Sequence, residues 1–260
     1  MLQGLRFLTL IVGITALAAS VPSFAQTAQG YVQEVQGSVT GQVGAGRARS
    51  VSKGETLPNN ATVTTGPGSY AVLKFEDGTA VLLKENTSFQ VQNYSYNAKA
   101  PETGSAIFNL VRGGMRMVTG LVAYRNRDAL KVGTPLATIG IRGTEFIAEL
   151  VNPFYIQVIN GVVTVTNSAG AVAFSAGQAA VVANPSTLAS IIPLNQVPPG
   201  VFQMPNYPLS SVPGPTPSGT PVGGGGIGAA GGTALAIGVA VGAAVLISTG
   251  GESQTTVVHH

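Results

Sequence analysis

"GTPLATIGIRGTEFIAEL", residues Gly133 to Leu150, is the stretch whose reading decides the fold. In a strand, alternate side chains face the same side, so Ile139 and Ile141 share one face. Phe146, Ala148 and Leu150 have the opposite parity. Both sets are buried only if one extra residue is inserted between them, and Gly143, with Gly140 upstream, has no side chain to obstruct such a bulge. The insertion flips the phase. Arg142 and Glu145 then emerge together on the outer side, within pairing distance. An exposed pair contributes only ~0.2–1 kcal/mol, so the bend rests on the glycine and the two apolar rows more than on the charges. The other reading of Arg142 is an anion-binding side chain.

The flanking sequence is strands and turns. "YVQEVQGSVTG" alternates with Val32, Val35 and Val39 as apolar anchors, and short β runs follow, broken at Gly66-Pro67-Gly68, Asp77-Gly78 and Glu85-Asn86. Asp77-Gly78 has the chemistry of a two-residue hairpin turn between "YAVLKF" and "TAVLL", and Asn160-Gly161 repeats it between "FYIQVI" and "VVTVT". Asn167 to Gly170 closes the next connection. No stretch holds a helical period with caps, so residues 26–183 read as one all-β domain of about a dozen short strands.

Composition agrees. Only 9% of the 260 residues are charged, while Gly (35) and Pro (16) are plentiful, which favours turn-rich β structure. A net charge of +3 without a concentrated patch does not point to nucleic acid. With no cysteine, disulfides, thiolate metal sites and cysteine nucleophiles are excluded.

The ends set the expected compartment. Arg6, the apolar run Phe7 to Ala19 and Ser23-Phe24-Ala25 form a secretory signal peptide over residues 1–25, with an uncleaved anchor helix as the rival reading. Residues 184–226, with "VPPG", "PGPTPSGTP" and "GGGG", read as an extended linker. Within it, Phe202, Met204 and Tyr207 of "VFQMPNYPL" are candidates to dock on the domain. Residues 227–249 are apolar, uncharged and about one bilayer span long, with Gly238 and Gly242 at GxxxG spacing, and 250–260 are a short tail. The expectation is a periplasmic protein anchored in the inner membrane by this helix. The alternatives are a glycine-rich tail or a helix buried in a partner.

Catalytic groups are scarce. The only histidines are His259 and His260 at the very end, which removes histidine bases and histidine-ligated zinc from the domain. Glu76-Asp77 abuts a turn and Glu145 lies on one strand face with Glu149, but no cleft is set between carboxylates, and turn acids are ordinarily solvated. No enzyme activity and no cofactor or metal are expected. The one concentration of charge is Arg112, Arg116, Arg125, Arg127 and Lys131 against Asp128. A hairpin about Thr119-Gly120 would face these arginines across two strands, as a partner site for phosphate or carboxylate or simply as a solvated basic face.

These residues resemble the FecR-domain family. Its "TPxAxxGxRGTEF" strand is matched by Thr134, Pro135, Gly140, Arg142, Gly143, Thr144, Glu145 and Phe146, followed by Val158 to Val165 and by Gly177-Gln178. The early "VQGSV" (Val35 to Val39) and "LKFEDGTAVLLKENTSF" are similar too. The resemblance implies a roll-like or solenoid-like β module, lying in the periplasm. In the founding proteins it relays a siderophore-receptor signal to an anti-sigma segment. Here a signal peptide leads straight into the domain, and the role that carries over is an exported, non-catalytic sensing or binding module. Its expected partner is a cell-envelope protein or polymer. The second reading, from a different class, is an assembly subunit that forms a homo-oligomer through the glycine-rich helix.

Overall fold

The computed structural model describes residues 30–126 and 128–209. The expected signal peptide, the apolar segment with Gly238 and Gly242, and Arg127 lie outside these residues, as does the side chain of Arg142. No helix among the described residues is long and apolar enough to cross a membrane.

The domain is all-β, as its patterning predicts. Its strands are β1 (Gly30–Gln36), β2 (Val39–Val43), β3 (Arg49–Ser50), β4 (Ala61–Thr65), β5 (Tyr70–Phe75), β6 (Ala80–Leu83) and β7 (Ser88–Ser95). They continue with β8 (Ser105–Val118), β9 (Leu130–Gly133), β10 (Thr138–Leu150), β11 (Phe154–Asn167), β12 (Gly170–Ser175), β13 (Ala179–Val182) and β14 (Ser190–Ile191). Among the described residues they are interrupted by one short α-helix, α1 (Leu121–Arg125), and by single 3-10 turns at Pro101–Thr103 and Leu194–Gln196.

Three of the strands are long, and they make the architecture. The first half of β8 pairs with β7 and β9, and its second half with β6 and β10. β10 begins beside β9 and ends beside β8, while β11 begins beside β13 and ends beside β12. Each long strand thus leaves one layer and enters another. The first layer runs β3-β2-β4-β7-β8-β9-β10-β11-β12, and the second β1-β5-β6-β8-β10-β11-β13-β14. Both layers face a single core, in which Phe75, Tyr94, Phe89 and Phe108 pack with ring centroids 4.9 to 5.4 Å apart.

A strand that changes layers must also change which parity it buries. β10 does so at Gly143, which has φ +58°. Arg142 is opposite Val162, Glu145 opposite Asn160, and Phe146 opposite Val158. Gly143 and Thr144 therefore face Gly161 alone, and Ile159 in turn faces no residue of β10. The two irregularities cancel, so the register is the same on both sides of the bend. Ile139, Ile141, Val163 and Val165 are buried before it, and Phe146, Ala148, Ile156 and Val158 after it. Burial of such apolar side chains stabilises by roughly 1.5–3 kcal/mol each, so the phase change outweighs any surface ion pair. β8 does the same: Ala106, Phe108 and Leu110 are buried before Gly113, and Met115 and Met117 after it.

Two expected hairpins are corrected, and a third forms with a longer turn than expected. Asn160-Gly161 is no hairpin but a bulge inside continuous β11, because the bent partner strand needs the matching insertion there. Thr119-Gly120 leads into α1, after which β9 runs parallel to β8. The β5–β6 turn is the longer loop Glu76–Gly78, closed by the Phe75 amide donating to the Thr79 carbonyl (2.9 Å).

The start of the proline-rich stretch also differs from an extended linker. Ser190–Ile191 add β14 beside β13, and the Ile192 amide donates to the Ala179 carbonyl (2.9 Å). Prolines 185 and 193 bracket this strand rather than interrupt its ladder. Residues 201–207 then lie as a strap on the second layer. Phe202 meets Tyr155 edge-on at 6.4 Å and Tyr207 meets Tyr70 at 6.3 Å, which is the docking that the aromatic residues of this segment predict.

Candidate functional site

The family-like motif is a device for turning and bending. Thr134 pins the β9–β10 turn: its hydroxyl donates to the Ala137 carbonyl (2.8 Å) and accepts from the Leu136 and Ala137 amides (3.2 and 3.0 Å). Pro135 occupies the position where its fixed φ favours such a turn. Thr144 is tied to Thr119, whose hydroxyl accepts from the Thr144 amide (2.8 Å) and donates to its carbonyl (3.2 Å). Phe146 is fully buried. Glu145 accepts from Arg116 Nε at 2.7 Å, with Arg116 Nη2 on the same oxygen. Its partner is thus a cation on the neighbouring strand, brought opposite by the β8–β10 ladder, where Ile147 faces Arg116. The expected Arg142–Glu145 pair and the anion-binding reading of Arg142 both concern a side chain outside the described residues.

Among the described residues the basic set does not form one patch. Arg112 precedes the Gly113 bend opposite Ser88, whereas Arg116 follows it opposite Leu82, so the two sit on different layers. Arg116 is engaged by Glu145, and Arg125 is exposed at the end of α1. Lys131, with Asp128, lines a groove of about 400 Å³ on the outer face of the first layer, floored by Gly140 and flanked by Thr138, Thr164 and Thr166.

Asp77 overturns the expectation that turn acids are solvated. It is 1% exposed. Its carboxylate accepts from the Thr79 amide (3.0 Å) and hydroxyl (2.9 Å), from the Tyr94 hydroxyl (3.0 Å), and from the Val122 amide at the start of α1 (3.2 Å). Burial, reinforced by the Asp77 charge, pushes the Tyr94 phenol far above its ordinary range. The carboxylate is therefore a joint between the β5–β6 loop, β7 and α1. Asp77→Asn replaces one accepting oxygen by an NH2 that faces donors, and is expected to cost about 2 kcal/mol in urea unfolding. Unchanged stability would show that the joint holds nothing.

Glu149, the other carboxylate of the expected face, is 3% exposed. Lys84 Nζ lies 3.0 Å from Oε1, while Oε2 has no hydrogen-bond partner among the described residues. Burial holds this carboxyl above the ordinary glutamate range, and Lys84 opposes that rise. Lys84 also donates to the Gly200 carbonyl (3.4 Å), which ties the strap to the pair. Beside it the strap and the loop before β5 enclose a groove of about 490 Å³. Gln36, Tyr70, Lys84, Gln203 and Asn206 line it. Lys84 is committed to Glu149, whereas Glu85, also in the lining, is exposed, accepts from the Gly68 amide (2.7 Å) and has no cation partner among the described residues, so the groove offers amides, a tyrosine and one carboxylate. That chemistry suits a hydrogen-bonding group that is neutral or positively charged. Sequence reasoning missed this groove. Its only linear signal is the pairing of amide and aromatic residues among the prolines of "VFQMPNYPL".

Among the described residues no group of three or more histidine, aspartate or glutamate side chains is placed to hold a metal ion.

Residues 61–164 match the family model described as FecR protein. The match runs from β4 into β11 and contains all three bends. No curated protein matches the chain. Among solved structures, a candidate anti-sigma factor from Parabacteroides distasonis ATCC 8503 is 17% identical, with 50% of this chain and 57% of that chain covered and a TM-score of 0.38. A second crystal structure so described, from the same organism, is 16% identical over the same shares, with a TM-score of 0.39. A structure described as a cell surface anchoring domain is 31% identical over 24% of this chain and 80% of its own, with a TM-score of 0.23. The chain spans 57% of the length of the two Parabacteroides structures.

Proposed function

We propose that this protein is an exported, non-catalytic FecR-like module that binds a cell-envelope partner, protein or polymer, and takes part in signalling across the envelope. The observation that carries this reading is the FecR family match over residues 61–164, which includes the strands that bear the bends. The signal-peptide pattern of residues 1–25 supports export, and the apolar stretch 227–249 supports anchoring in the inner membrane. The carboxylates of the motif strand support a binding rather than a catalytic role, since Glu145 and Glu149 are each engaged by a cation. The groove beneath the strap is the surface where the partner is expected to bear.

The test uses the exported chain as bait against envelope fractions. A defined protein or polymer is expected to be captured, and Gln203→Ala with Asn206→Ala is expected to weaken capture at least about tenfold, the equivalent of about 1.4 kcal/mol. Capture no better than that by an unfolded Gly161→Val control would reject the reading.

A further inference from the structure

Two layers joined by bent strands end in four lateral edges, and three of these are closed. Beside β1, residues 54–57 complete the ladder: the Val32 amide donates to the Glu55 carbonyl, the Gly54 amide to Val32, and the Leu57 amide to Gly30, each at 2.8 Å. β3 is two residues long and carries Arg49, paired with Glu55 at 2.7 Å. β14 is also two residues long and is followed by Pro193. Short strands, charges and prolines are the usual guards against further pairing.

The fourth edge has none of them. β12, "GAVAFS", is six residues in unbroken register with β11, without charge, proline or bulge. Its Ser175 amide turns outward and donates to Gln178 Oε1 at 2.7 Å. By the two-residue repeat of an antiparallel ladder, the backbone groups of Ala173 and Ala171 turn the same way. No hydrogen bond reaches them among the described residues. Their exposed side chains are too small to obstruct an approaching strand. Leu188, 47% exposed, stands at the Gly170 end of the edge.

We propose that two copies of this protein associate through β12, antiparallel about a two-fold axis at Val172. Ala171 of one copy lies opposite Ala173 of the other, so the outward amides and carbonyls of both are exchanged, and Val172 faces its counterpart. A second copy fits for two reasons. From Leu150 to Leu209 the chain has no charge, so nothing on this edge selects a foreign partner by sign and nothing repels a like one. The edge is also its own complement, small residue against small residue, which an isologous contact requires. Association continues the first layer from one subunit into the next, independently of the envelope partner proposed above.

The natural absence of cysteine makes a direct test available. Facing residues of a non-hydrogen-bonded pair have Cα atoms about 4.5 Å apart, within disulfide range. Val172→Cys in the full exported chain is expected to run as a disulfide-linked homodimer on a non-reducing gel, while Thr166→Cys, one strand inward, stays monomeric. Adding Ala173→Pro or Ala173→Lys to Val172→Cys is expected to reduce the dimer at least tenfold while circular dichroism and the urea midpoint are retained. Cross-linking no greater than that of Thr166→Cys overturns the proposal. So does Val172→Cys linked only to a different polypeptide, or a dimer that survives both edge substitutions in folded protein.

Discussion

Gly161→Val is expected to abolish folding and Gly161→Ala to cost about 3 kcal/mol or more, whereas Gly143→Ala costs about 1 kcal/mol. Both glycines have positive φ, +82° and +58°. What separates them is space. A Cβ on Gly161 would sit 2.6 Å from Thr144 Cγ2 and 2.7 Å from the Gly143 carbonyl oxygen, whereas one on Gly143 would meet nothing nearer than Tyr124 Cδ2 at 3.7 Å. The bulge in β10 is thus accommodated by the missing side chain in β11. Gly113 belongs with Gly161, since its Cβ would lie 2.6 Å from the Thr87 Cα. Urea unfolding of the three alanine variants is the measurement. Equal losses at Gly143 and Gly161, or a larger loss at Gly143, would show that the bend does not depend on close approach of the two strands.

The second large effect concerns Lys84. Lys84→Met leaves the Glu149 carboxylate buried without its cation and is expected to cost about 3 kcal/mol at pH 8. That loss should depend on pH, with a sign fixed by the direction of the Glu149 shift. Its carboxyl is held above its ordinary value of 4.5, first by burial, so the folded protein binds this proton more tightly than the unfolded chain. Stability linked to the protonated form is fully present at low pH and is lost as pH rises through the raised value. Removing Lys84 removes the interaction that opposes the rise, so the gap between wild type and Lys84→Met should narrow as pH falls from 8 toward the ordinary carboxylate range. Lys84→Met with Glu149→Gln should recover most of the loss at every pH. A penalty that is constant between pH 8 and pH 5, or is not relieved by the second substitution, would mean that packing of the lysine stem and not the ion pair supports the strap.

Part of this was legible because it is local. The parity change from Ile141 to Phe146 needs no knowledge of any other strand, and it locates the bend at Gly143 from spacing alone. The aromatic residues of "VFQMPNYPL" similarly mark a segment that packs. Asn160-Gly161 misleads for the same reason. Its dipeptide has the chemistry of a tight hairpin, and only the neighbouring bent strand turns that left-handed glycine into a matching bulge. Asp77 reads as a solvated turn acid until α1 and Tyr94 close over it, since burial of a loop depends on what packs against it. The basic residues read as one cluster because they are near in sequence, and a bend between Arg112 and Arg116 parts them.

By itself the sequence determined the strand content, the flip of burial parity and the resemblance to the FecR family, because each is written in residue spacing or composition within one segment. Only the tertiary structure decided that β8, β10 and β11 pass between two layers, that Glu145 takes Arg116 and Glu149 takes Lys84, and that β12 is the unguarded edge. Those are facts of pairing between segments far apart in the chain. A hydrogen-bond ladder does not depend on which side chains it carries, so the order of strands, and with it each cross-strand partner, is settled by how all the apolar rows share one core.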